Sequence, residues 1–104
     1  MLDKIDHIAV HVLNIRQGIT YYRKNFKCNV LYEDSSSALL EFENTNLALV
    51  LPFEHPPHFT VIDDMLEGGE TQEDGTRFTY VHDHQGNMIK RITYKDKKEN
   101  EKET

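Results

Sequence analysis

The patterning of this chain predicts an α+β fold. Three observations carry that reading: one stripe of helical period formed by Ile15, Ile19, Tyr22 and Phe26, a series of strand-like runs, and short turns rich in Ser, Asn and Gly between them.

The first run spans residues 4 to 12. Ile8, Val10 and Val12 alternate there with His7, Ala9 and His11, as a half-buried strand requires. Asn14-Ile15-Arg16-Gln17 then offers a capping box, in which the Asn14 side chain accepts an orphan helix N–H and Gln17 reaches back to the cap. The stripe that follows makes one apolar face of a helix. Tyr21, Tyr22 and Phe26 are read as core residues. Gly18 inside that helix costs roughly 1 kcal/mol against Ala, which predicts that the sheet packs closely against it.

Three strands come next, over 28–34, 38–43 and 47–51, with turns at Ser35-Ser36 and Asn44-Thr45-Asn46. Glu54-His55-Pro56-Pro57 reads as a rigid, extended connector, because proline fixes φ and removes an N–H donor. His55 is expected to be an exposed loop residue. A strand over 58–62 leads into a polar stretch, 63–75, carrying Gly68, Gly69 and Gly75. At most Met65-Leu66-Glu67 makes one helical turn there. Strands over 77–83 and 88–94 flank a tight turn at Gln85-Gly86-Asn87.

At 104 residues the chain is read as one domain over residues 1–94, followed by a disordered polar tail, 95–104, of mixed charge. No apolar run reaches the ~18 residues that span a bilayer. The start, Met1-Leu2-Asp3-Lys4, lacks the form of a secretory signal. Cys28, the one cysteine, cannot form an internal disulfide, so a cytoplasmic location is the expectation. Cys28 itself reads as a small buried residue. A formal charge of -6 argues against nucleic acid and membrane partners. The basic cluster Lys95, Lys97 and Lys98 is interleaved with Asp96 and Glu99.

Taken in order, four of these pieces resemble the vicinal oxygen chelate superfamily, the glyoxalase/bleomycin-resistance/extradiol-dioxygenase family. Ile5-Asp6-His7-Ile8-Ala9-Val10-His11-Val12 is similar to that family's opening strand with its first ligand histidine. Tyr21-Tyr22-Arg23-Lys24-Asn25-Phe26 stands where its first helix ends. His58-Phe59-Thr60-Val61 resembles the strand that opens its second module with another ligand histidine, and Asp83-His84-Gln85-Gly86-Asn87-Met88-Ile89 resembles the hairpin before its last strand. The resemblance covers about residues 4 to 94. It implies a glyoxalase-like pair of βαβββ modules curled into a cup, the second module shortened and lacking its helix. A sheet face without its covering helix exposes apolar surface, so a homodimer is expected.

Active members of that family hold a divalent cation with two histidines and one or two carboxylates, which leaves a position open for Lewis-acid chemistry. Carried over, the two histidines are His7 and His58. The acidic position on the strand Leu47-Ala48-Leu49-Val50 falls on Ala48, and the terminal glutamate falls on Lys90. An ammonium there would repel a dication by several kcal/mol, at ~4 Å and an effective dielectric of ~20. Glu41, which alternates with Leu40 and Phe42, is the carboxylate that could act as a third ligand if the register differs, ahead of Glu43.

The same residues also read as an anion site. His7, His11 and His58 would converge on Lys90, with Tyr80 and His82 on a neighbouring strand, giving positive charge and directed N–H groups. The sequence therefore points to a glyoxalase/bleomycin-resistance-like protein that binds a small, anionic organic molecule, with a degenerate metal site and no cofactor expected; it predicts a binding pocket more readily than a metal-dependent catalyst. Two alternatives stand beside it. One is a divalent-metal-dependent lyase, isomerase or dioxygenase using His7, His58 and a carboxylate. The other is a structural or partner-binding domain that keeps only the fold.

Overall fold

Asn14 starts the one α-helix among the described residues. Its side chain accepts the Gln17 backbone N–H at 2.9 Å, and α1 runs from Ile15 to Asn25. The computed structural model describes residues 1–95, so the expected tail lies, beyond Lys95, outside the described residues. Eight strands accompany the helix: β1 (Ile5–His11), β2 (Asn29–Glu33), β3 (Ser37–Glu41), β4 (Asn46–Val50), β5 (His58–Ile62), β6 (Glu70–Thr71), β7 (Arg77–His82) and β8 (Met88–Thr93). The α+β class follows directly. The two-residue β6 lies inside the stretch expected to be irregular.

All eight strands form one mixed sheet in the order β2-β3-β4-β1-β5-β8-β7-β6. β1 lies parallel to β4, β5 lies parallel to β8, and β1 and β5 meet antiparallel at the centre. Each half of the sheet thus places its first strand beside its last, and the two first strands adjoin.

The helix covers the outer face of β1–β4. Ile15 and Ile19 pack there on Ala38, Leu40 and Leu49, with Val10, Val12 and Tyr22 around them. Gly18 shows why the helix needs a glycine: a Cβ would stand 3.0 Å from Val12 Cγ1 and 3.2 Å from Leu49 Cδ1. Tyr21 and Phe26, expected in the core, are instead 59% and 50% exposed. Tyr21 lies off the Ile15–Ile19–Tyr22 stripe, and Phe26, the C-cap, stacks on Tyr22 with its ring 6.2 Å from that of Phe42.

Among the described residues, no helix covers the outer face of β5–β8. Asp63 begins the segment after β5 with a turn, accepting the Met65 N–H on its carboxylate (3.0 Å) and the Leu66 N–H on its carbonyl (3.2 Å). Ile8, opposite Phe59 in the β1–β5 ladder, faces outward with it, and Phe59 and Val81 both stand in register with Ile89. Ile5 and Ile8 are exposed there. The β7–β8 hairpin is closed by Asp83, whose Oδ1 accepts the N–H groups of Gln85 and Asn87 at 2.8 and 2.9 Å. Gly86 takes a left-handed φ of 88° in that turn. Among the described residues, no helix is long and apolar enough to cross a membrane.

Candidate ligand-binding cup

The inner face of the sheet bends around a hollow of about 220 Å³. Tyr32, Ser37 and Leu39 from one end of the strand order line it together with Gln72, Asp74 and Lys90 from the other, so the sheet must curl for them to meet.

Pairing register decides which side chains reach the hollow. Thr60 stands opposite His7 and beside Lys90, and Tyr80 stands on the other side of Lys90. These four positions form a row across β1, β5, β8 and β7 on one face. Ala9, Ala48 and Leu39 form the apolar row beside it, across β1, β4 and β3.

Lys90 is 7% exposed. Its Nζ lies 4.6 Å from the centroid of the Phe78 ring and 6.0 Å from that of Tyr80. Contacts of this kind stabilise a cation against ring faces. Burial lowers its pKa below the usual lysine range, and the charges of Asp74 and Asp6 oppose that shift.

His7 belongs to a polar chain. Its Nδ1–H donates to Asp6 Oδ2 at 2.7 Å, which in the neutral ring leaves Nε2 to accept the Thr60 hydroxyl at 2.9 Å. Asp6 also accepts the Tyr94 hydroxyl at 2.9 Å. The His7 hydrogen bond holds the Asp6 carboxyl below its ordinary pKa; burial opposes this, and the Tyr94 bond assists it. Burial, with Asp6 adding to it, drives the Tyr94 hydroxyl well above the usual tyrosine pKa.

His58 is 8% exposed and presents a free nitrogen. Its Nδ1–H donates to the Pro56 carbonyl at 2.8 Å, so Nε2 carries a lone pair, and that buried atom has no partner. Burial lowers the His58 pKa to about 4; the Pro56 bond opposes the shift, and Lys90, His7 and His55 add to it. The ring is therefore neutral at pH 7. It packs edge-on against His7 and Tyr80, with centroids 6.1 and 5.3 Å away.

Several expected site residues fall elsewhere. His11 lies at the exposed end of β1, where its Nε2–H donates to the His55 carbonyl at 2.7 Å. His82 is exposed at the end of β7 and pairs with the Asp83 carbonyl at 3.1 Å. Glu41 is not beside the histidines. It pairs with Asn46, which pairs with His7, so it stands two strands off, and its carboxylate accepts from Asn29 Nδ2 at 3.1 Å. His55, expected in solvent, instead lines the hollow and meets the Tyr80 hydroxyl through Nδ1 at 3.2 Å. Among the described residues, no group of three or more His, Cys, Asp or Glu side chains is placed to hold a metal ion.

Asp6, Thr60 and Tyr94 were not expected in the site. Strict alternation assigns Asp6 to the face opposite His7, but the β1–β5 register shifts between Ile5 and His7. Such a bulge lets two consecutive side chains line one hollow. The Asp-His dipeptide was the available signal, since a carboxylate next to an imidazole can bond it.

Solved structures share this architecture. A hypothetical protein from Bacillus halodurans superposes with a TM-score of 0.71 at 16% identity, over 89% of this chain and 95% of that one. A glyoxalase/bleomycin resistance protein/dioxygenase superfamily member from Vibrio splendidus gives 0.66 at 9% identity, over 88% and 99%. The fold is that of this superfamily. Streptomyces coelicolor methylmalonyl-CoA epimerase shares it too, with a TM-score of 0.71 at 15% identity over 89% of this chain and 95% of that one. A hypothetical protein from Staphylococcus aureus gives 0.63 at 12% identity; the chain covers 88% of itself there but only 34% of that longer protein. No protein-family model matches the sequence, and no curated protein does.

Proposed function

We propose that this protein is a glyoxalase/bleomycin-resistance-like binding protein whose cup takes a small organic anion and does not use a metal. The observation that carries this reading is the Lys90 amine, buried in the hollow where the superfamily's resemblance would place a metal-binding carboxylate. The rest of the donor set fits a metal poorly. Ala48 offers no ligand atom, His7 Nε2 is engaged by Thr60, and among the described residues no three His, Cys, Asp or Glu side chains are grouped to hold an ion. A ligand carboxylate, in contrast, finds an ammonium with aromatic walls beside it. A methylmalonyl-CoA epimerase of the same fold is seen in complex with methylmalonyl-CoA, an acid, which supports an organic anion as occupant.

The halves of the sheet are best taken as paired modules, each with its first strand beside its last. In the second module the segment between β5 and β7 has shrunk to a turn and the short β6. A second copy of the chain covers the outer row of Ile8, Phe59, Ile89 and Val81, giving a homodimer.

Titrating untagged, EDTA-treated protein with succinate tests the reading. Saturable binding, weakened at least about tenfold by Lys90→Met, is the expected result; that factor is about 1.4 kcal/mol. Stoichiometric Zn²⁺, Ni²⁺, Mn²⁺ or Fe²⁺ in protein purified without chelator or histidine tag would instead favour a metal-dependent enzyme built on His58. A cup that binds neither would leave only the fold.

A further inference from the structure

We infer that Lys90 captures a carbonyl-bearing ligand covalently, as an imine, so that the cup takes small oxo acids in preference to simple carboxylates. This rests on the anion-binding reading and narrows its ligand class.

Two features of the hollow support the step. The Lys90 side chain lines the cavity yet is almost wholly withdrawn from water. It rests against the rings of Phe78 and Tyr80 with Asp74 in the same hollow, and desolvation outweighs the nearby carboxylates in lowering its pKa. A lysine desolvated in this way is the form in which an amine becomes nucleophilic. The second feature is volume. About 220 Å³ admits a ligand of a few carbons and is too small to enclose a large one.

The step balances without a co-reactant. Lys90 loses a proton to solvent, and its neutral nitrogen attacks the ligand carbonyl carbon. A C–N bond forms as the C=O π bond opens, and one proton passes from nitrogen to oxygen to give a carbinolamine. A second proton, returned from solvent to that oxygen, expels water and leaves the protonated C=N bond of the imine.

Trapping tests this on the wild-type protein. EDTA-treated protein is incubated at neutral pH with pyruvate and sodium cyanoborohydride, which reduces any imine to a stable amine, and adducts are mapped by peptide mass spectrometry. Modification of Lys90 should exceed that of the exposed Lys4, Lys24 and Lys27 by about tenfold or more. Excess succinate should suppress it, and Lys90→Arg should abolish the adduct at that position. Adducts spread over surface lysines with Lys90 spared overturn the inference, even if succinate still binds in the absence of reductant. Lys90 trapped as expected, but with succinate neither binding nor competing, would uphold the imine and remove the anion reading beneath it.

Discussion

The two halves of the sheet are held by different physics. In β1–β4, a helix seals one face and the core is aliphatic: Leu40 and Leu49 are completely buried between Ile15, Ile19 and Ala38. On β5–β8 no helix packs among the described residues, and much of what is buried is polar: His58, Thr60, Lys90 and Thr93. Aliphatic burial stabilises in proportion to the area removed from water. Burial of an imidazole or an ammonium costs free energy unless something compensates it. The first half therefore reads as the source of stability and the second as the place where stability has been given up for a site.

The largest effect expected from this contrast lies in the first half. Leu49→Ala opens a cavity under α1 and should cost about 2–5 kcal/mol, read as a fall in the urea midpoint. A loss smaller than that of a typical surface substitution would erase the distinction between the halves.

The next effect is a pH dependence specific to the second half. His58 has a pKa of about 4 in the folded protein against 6.5 as its ordinary value, so the unfolded chain takes up the proton first. Above about pH 6.5 the ring is neutral in both states and adds no pH dependence. Stability should fall as the pH drops from 6.5 towards 4, with no further loss from this group below that. The magnitude is roughly 3 kcal/mol at most. Urea denaturation at pH 7 and pH 4.5 should show a smaller difference in His58→Gln than in wild type. An equal pH slope in both proteins would mean that the imidazole is not buried neutral.

Lys90→Met separates site from stability more sharply. Replacing a buried ammonium by a methionine of similar shape should leave the urea midpoint unchanged or raise it, by up to ~1 kcal/mol, while removing anion binding. A variant that both binds less and unfolds readily would make Lys90 a structural residue. Smallest is the outer face: Phe59→Ser should change monomer stability by no more than about 1 kcal/mol, yet shift sedimentation towards the monomer. Unchanged sedimentation would remove this face as a contact between copies of the chain.

The same division explains what could be read from sequence. The helix was legible because Asn14, the Ile15–Ile19 spacing and Gly18 act locally and agree with one another. The strand runs were legible in the sequence, with limits within one or two residues of those observed. Lys90 and His58, which line the hollow, were expected there from the family resemblance, which sets them at its ligand positions. His55 was misjudged, because a Glu-His-Pro-Pro sequence says nothing about the hollow that its loop closes over. Asp6, Thr60 and Tyr94 were missed for related reasons. A bulge turns Asp6 inward, a cross-strand register sets Thr60 against His7, and sheet closure brings Tyr94 back to a residue 88 positions earlier. Such relations exist only in the folded sheet. Glu41 shows the converse: its alternation was sound, but its distance from His7 depended on strand order.

Everything proposed for the cup requires the Lys90 amine to meet a ligand carboxylate without help from a metal. Lysine side-chain resonances, assigned by loss in Lys90→Arg, can be followed by NMR while succinate is added to EDTA-treated protein. The Lys90 signals should move saturably while those of the exposed lysines stay fixed. Lys90 signals that stay fixed under EDTA, and respond only after a divalent cation is supplied, would contradict metal-free binding.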